Sequence, residues 1–120
     1  QPSFCQWRAT MANKYFRLYD TPAAATEVTL YTVPDANTAI LTSLRITNAN
    51  SASTLLDVRV YPEGGATPYS LLSNHFLPVN ATMDVFSGVS CVMQAGDALK
   101  IESSQADVDF YLSYLEIDRN

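Results

Sequence analysis

The sequence predicts an all-β protein, a single small β-sandwich or jelly roll of about seven to eight antiparallel strands. Three observations carry this prediction. Apolar and polar residues alternate with period two, as in Leu56, Val58 and Val60 against Asp57, Arg59 and Tyr61. Turn-forming clusters recur at short intervals, where Pro presets φ and Asp or Asn bond to nearby backbone. No window joins i, i+3, i+4 apolar spacing to helix caps, so helix content is expected to be minimal.

The elements follow in order. Residues 1–14 read as an N-terminal extension or arm, and 15–120 as the sandwich domain. Met11 resembles an initiation site, so residues 1–10 are expected to be an upstream extension, a processed remnant or a cleaved or tagged N-terminus. Tyr15-Phe16-Arg17-Leu18-Tyr19 mixes aromatics with charge. It reads either as an arm adding a strand to a neighbour or as the sandwich's first strand, and Tyr15, Phe16, Arg17 and Tyr19 are its candidate contact residues. Glu27–Val33 is a strand closed by Pro34-Asp35-Ala36-Asn37. In Ala39–Asn48, Ile40, Leu44 and Ile46 share one dry face, while Leu41, Ser43, Arg45 and Thr47 take the other. After turn formers at 48–53, the alternating residues Leu56 to Tyr61 complete an expected antiparallel hairpin with it.

Pro62-Glu63-Gly64-Gly65-Ala66-Thr67-Pro68 holds too many prolines and glycines for a central strand and is expected to be an exposed loop. Strands at Tyr69–Leu77, Thr82–Phe86 and Val89–Met93 follow, and Gln94-Ala95-Gly96-Asp97 reads as a hairpin turn into Leu99 and Ile101. The last strand places Val108, Phe110, Leu112 and Tyr114 on one face and Asp109, Tyr111, Ser113 and Leu115 on the other. A strand apolar on both faces is central in a sandwich or covered by a neighbouring subunit. Tyr111, Leu115 and Ile117 are therefore the candidate oligomer interface.

Composition narrows the function. A chain of 120 residues, 48% hydrophobic and 16% charged, suits one domain with a real core. A net charge of -5 with seven scattered basic residues opposes phosphate backbones, so direct nucleic-acid binding is not expected. No apolar run approaches the roughly 20 residues of a membrane helix, and QPSFCQWRAT lacks the apolar core of a secretory leader. Cys91 alternates with apolar neighbours and reads as a buried, inert thiol; Cys5 lies in the N-terminal extension.

No catalytic constellation is legible. His75 is the single histidine and has neither a Ser-x-Gly elbow nor a second histidine near it. Asp107, Asp109 and Glu102 lack the glycine-interleaved spacing of a calcium loop, and Asn80-Ala81-Thr82 is an isolated three-residue glycosylation match. The reading is therefore no enzyme, no cofactor and no metal. The aromatics admit a second class, a sugar-binding platform with nearby Asn, Asp or Gln, against burial of the same rings in an oligomer.

Several strings carry a resemblance. Thr29-Leu30-Tyr31-Thr32-Val33-Pro34, Ser43-Leu44-Arg45-Ile46-Thr47-Asn48, Met93–Ile101 and Leu112-Ser113-Tyr114-Leu115-Glu116-Ile117 are similar to the small β-sandwich virion proteins of tailed bacteriophages, over roughly Glu27 to Ile117. The resemblance implies a particle component, most often a head decoration (cement) protein that trimerises on the capsid exterior, with the major capsid protein as partner. The location it implies is the virion surface, assembled in the host cytoplasm. A tail or fibre component is the alternative within the family, and no family binding residues carry over.

Overall fold

Nine strands lie in two facing antiparallel sheets in the computed structural model, which describes residues 13–118. They are β1 (Asn13–Asp20), β2 (Val28–Thr32), β3 (Asn37–Asn48), β4 (Thr54–Tyr61), β5 (Tyr69–Leu77), β6 (Thr82–Asp84), β7 (Cys91–Met93), β8 (Ala98–Ser103) and β9 (Val108–Asp118). The first sheet runs β1-β9-β3-β6, with β7 also on β3; the second runs β2-β8-β4-β5. Short β6 and β7 share one flank of β3, pairing with Arg45–Thr47 and with residues 39–41 respectively. Together they fill a single strand position, which gives the eight-position wiring of a jelly roll.

That wiring corrects two expected hairpins. β3 and β4 lie in different sheets, and so do β7 and β8. The turn chemistry is where the sequence puts it, but a turn reverses the chain without specifying which sheet receives the next strand. Of the consecutive pairs joined by a tight reversal, β4 and β5 form the hairpin, across a short 3-10 turn at Pro62–Gly64 and the exposed loop beyond it. The Gln94–Asp97 turn instead hydrogen-bonds to the corner after β2: Gly96 N donates to Val33 O at 2.9 Å and Val33 N to Asp97 O at 2.9 Å. Gly96 sits at φ +87, a conformation that strains other residues. The ninth strand, beyond the seven or eight expected, is β1.

The core lies between the sheets. Phe110, Leu112 and Val108 of β9 are fully buried against Leu44 and Ile46 of β3, Leu56 and Val58 of β4, and Leu99 and Ile101 of β8. Each such side chain contributes roughly 1.5–3 kcal/mol by leaving water. The period-two reading of β9 holds from Val108 to Leu115, and that of β4 holds through Val58, beyond which Val60 is only partly buried against the core.

β3 departs from its expected face. The ladder to β9 jumps between Leu41 and Ser43, so Thr42 is an extra residue whose Oγ1 donates to Ser113 O at 3.0 Å. A bulge inverts alternation on either side of itself. Ala39 and Leu41 therefore point inward before it and Leu44 and Ile46 after it, while Ile40 turns outward opposite Leu115. At the end of β3, buried Asn48 ties three segments together. Its Nδ2 donates to the carbonyls of Ala52 (3.0 Å), Leu77 (3.3 Å) and Pro78 (3.2 Å), and its Oδ1 accepts from Asn50 N at 2.9 Å.

Candidate functional site

The two outer faces of the sandwich differ in chemistry. On the second sheet, Arg59 Nη1 meets Glu27 Oε2 at 2.7 Å and Glu102 Oε1 at 3.3 Å, and its Nη2 lies 3.4 Å from Asp57 Oδ1. Tyr61 donates to Glu27 Oε1 at 3.1 Å, and Lys100 Nζ lies 4.3 Å above the Tyr61 ring. The ionic lattice covers the middle of this face, while towards one end Leu55 of β4 and Phe76 of β5 stand opposite each other as exposed apolar side chains, at 42% and 59%.

The outer face of the first sheet is built otherwise. β1 pairs with β9 over its whole length, setting Tyr15 opposite Leu115, Arg17 opposite Ser113 and Tyr19 opposite Tyr111. β9 pairs in turn with β3, setting Ile40 opposite Leu115, Ser43 opposite Ser113 and Arg45 opposite Tyr111. Val92 of β7 stands opposite Ile40. Residues directly opposite share a face, so two rungs cross the sheet: Val92-Ile40-Leu115-Tyr15 and Arg45-Tyr111-Tyr19. Exposure is high for large rings and chains: Tyr15 81%, Tyr19 66%, Val92 59% and Tyr111 42%. The Tyr19 and Tyr111 rings stack at 6.2 Å between centroids and 13° between planes, and Arg17 lies 5.4 Å from the Tyr19 centroid.

The structure thus brings both sequence-derived residue sets onto one strand pair. Tyr111 and Leu115 lie on this face with Ile117, which is half-buried opposite Asn13 and Thr38. Tyr15, Arg17 and Tyr19 extend the same face from β1. Phe16 points the other way, stacking at 5.5 Å on Tyr114, which in turn meets Tyr31 of the second sheet at 4.3 Å. The segment read as an arm or first strand forms the outermost strand of the first sheet. Residues 1–12, with Cys5, lie outside the described residues. Ile40 and Val92 belong to the face and were missed in the sequence. The bulge at Thr42 decides Ile40's direction, and no pattern in the sequence marks it.

The remaining titratable groups sit elsewhere. Tyr31 donates to Glu116 Oε2 at 2.6 Å and Asn37 Nδ2 to Glu116 Oε1 at 3.2 Å, at one end of the sandwich. Burial, then the Glu116 carboxylate, pushes the Tyr31 phenol far up, and the same two causes raise Tyr114. Burial, then Asp97, raises the half-buried Cys91 thiol. His75 is exposed on β5. Among the described residues no group of three or more His, Cys, Asp or Glu converges as metal ligands do. A shallow groove of about 480 Å³, lined by Arg45, Thr47, Asp109 and Tyr111, adjoins the tyrosine rung.

No family model and no curated protein matches the sequence. Solved structures do match in fold. A subunit of Bacillus endospore appendages, described as disulfide-linked pili, superposes with a TM-score of 0.57 at 13% identity over 92% of this chain and 89% of its own. A chain of infectious bursal disease virus, Gx strain, gives 0.50 at 14% identity over 90% of this chain. This chain spans about a third of that viral chain, at 31%. A pentameric capsid protein from metagenomic phage sequences matches at 0.40 and 18% identity over 85% of this chain and 59% of its own, too loosely to bear on function. At these identities the likeness defines a class, a jelly-roll β-sandwich, and nothing narrower.

Proposed function

We propose that this chain is a non-enzymatic structural protein of a phage virion, a head decoration protein that self-associates as a trimer through the outer face of its first sheet. The observation that carries the reading is the pair of rungs on that face, one apolar and one of stacked tyrosines, with Arg17, Ser113 and Ser43 between them. Exposed apolar and aromatic side chains gathered on one face mark an interaction site, and Tyr with Arg is enriched where proteins meet. A closed three-fold arrangement satisfies repeated head-to-tail contacts without making fibres. The fold supports the reading without specifying it, since it serves in a pilus subunit and in a virus particle. Its partner would then be the major capsid protein on the outside of the shell, bound better as an assembled lattice than as free subunits.

The test is to add purified protein to undecorated phage heads. Saturable, stoichiometric attachment at local three-fold positions is expected. Attachment to tails instead would move the protein to the tail or fibre. The Tyr111 groove, with Arg45 and Asp109 beside an exposed ring, favours sugar binding as the second reading. A monomer that ignores heads and binds a defined glycan would establish it.

A further inference from the structure

The four sheet edges are not finished alike. On the far flank of the first sheet, β6 and β7 are three residues each. In the second sheet, edge strand β2 has five residues and a register shift between Thr29 and Tyr31. Edge strand β5 carries two register shifts against β4 and a left-handed residue, Asn74, at φ 48. Shortness, bulges and irregularity are the means by which proteins stop edges from pairing. β1 has none of them; of the other devices that protect edges it carries only charged side chains, Lys14, Arg17 and Asp20. It holds eight consecutive residues in unbroken register with β9, contains no proline or glycine, and no strand among the described residues pairs with its other side.

Its sequence is also self-complementary. Read from both ends, Lys14-Tyr15-Phe16-Arg17-Leu18-Tyr19-Asp20 has opposite charges outermost, then two tyrosines, then two apolar residues, with Arg17 at the centre. We propose that the free edge of β1 is a self-pairing surface, to which β1 of a second copy adds antiparallel about a two-fold axis through Arg17. Lys14 then faces Asp20 of the second copy, Tyr15 faces its Tyr19 and Phe16 faces its Leu18, each contact made twice as an isologous interface requires. The offset between opposed residues is even, so Tyr15, Arg17 and Tyr19 of both copies lie on one continuous outer face. Shifting by two residues sets Lys14 opposite Leu18, or Asp20 opposite Phe16, and loses both ion pairs. Parallel pairing sets lysine opposite lysine. The one adverse contact, Arg17 against Arg17, is exposed and screened, and each guanidinium already lies near a tyrosine ring.

A two-strand contact is small, so the pairing is weak and dynamic in solution. In a lattice it joins neighbouring subunits at two-folds, independently of the face proposed for the trimer. The experiment is a cysteine scan in a chain carrying Cys5→Ser and Cys91→Ser, with Tyr15→Cys, Arg17→Cys or Tyr19→Cys, all on the same outer face, added singly and covalent dimer measured after treatment with oxidised glutathione. Only at the two-fold does a residue face itself within disulfide reach, and two residues off it the separation exceeds about 7 Å. Arg17→Cys should therefore give several-fold more dimer than the other two. Adding Lys14→Asp should cut its dimer formation about tenfold, by opposing acids at both ends, and adding Asp20→Lys as well should restore it. Equal yields at the three positions, no dimer from Arg17→Cys, or indifference to Lys14→Asp would overturn the proposal. Circular dichroism of each variant checks that its sheet is intact.

Discussion

Tyr19 of β1 stands directly opposite Tyr111 of β9, their rings 6.2 Å apart and 13° from parallel. The stack is one of few side-chain ties between β1 and the rest of the sandwich, beside Phe16 on Tyr114 and partly buried Leu18 against the core. Strands with few buried apolar contacts open locally at low cost. β1 amides are therefore expected to exchange hydrogen faster than those of β3. Tyr19→Ala should accelerate β1 further while leaving β3 unchanged, because an aromatic pair is worth about 0.5–1.5 kcal/mol. Hydrogen-exchange mass spectrometry resolves the two strands.

Alkaline stability depends on Tyr31. Its phenol holds its proton well above the ordinary 10.0, because it is buried and donates to Glu116. The sign follows from linkage. A folded-state pKa raised above the unfolded one gives stability that is complete below the unfolded value, near pH 10, and lost as pH rises beyond it, since the unfolded chain ionises first. Denaturation midpoints should be flat from pH 7 to 9 and fall above 10. Tyr31→Phe should lower stability at pH 7 by about 1 kcal/mol, yet give a shallower alkaline decline. A residual slope should persist, because Tyr114 is raised in the same direction.

Core and ionic substitutions should separate cleanly. Phe110 is fully buried between the sheets, and Phe110→Ala should cost about 3–5 kcal/mol. Arg59 touches three carboxylates but remains partly exposed, and Arg59→Ala should cost no more than about 1 kcal/mol. Urea titrations of both variants measure the contrast.

Cys91 should react slowly with thiol reagents in the native protein and rapidly in denaturant. Its side chain is half-buried against the core, and burial with Asp97 disfavours the thiolate that does the attacking. Native labelling as fast as that of the unfolded chain would show that β7 detaches from β3.

Particular residues show how much of this was legible in the sequence. β9 was readable because Val108, Phe110, Leu112 and Tyr114 bury one side and nothing interrupts their alternation. That same alternation exposed Tyr111 and Leu115 as candidates. β3 was half readable: Leu44 and Ile46 obey the pattern, but the bulge at Thr42 sends Leu41 inward and Ile40 outward. A single inserted residue leaves no local signature when the two residues before it, Ile40 and Leu41, are both aliphatic. Sheet membership was not readable either, because Asn48–Ser53 and Gln94–Asp97 have the composition of hairpin turns. What makes them corners is pairing with distant segments, such as Gly96 with Val33.

The mass of the purified protein in solution tests most directly whether the first sheet's outer face is an assembly surface. Light scattering should give three times the 13.2 kDa chain mass across a wide dilution range, and Tyr111→Asp or Leu115→Asp should reduce it to a folded single chain or produce aggregates. A folded chain of 13.2 kDa at every concentration, unchanged by either substitution, would contradict it.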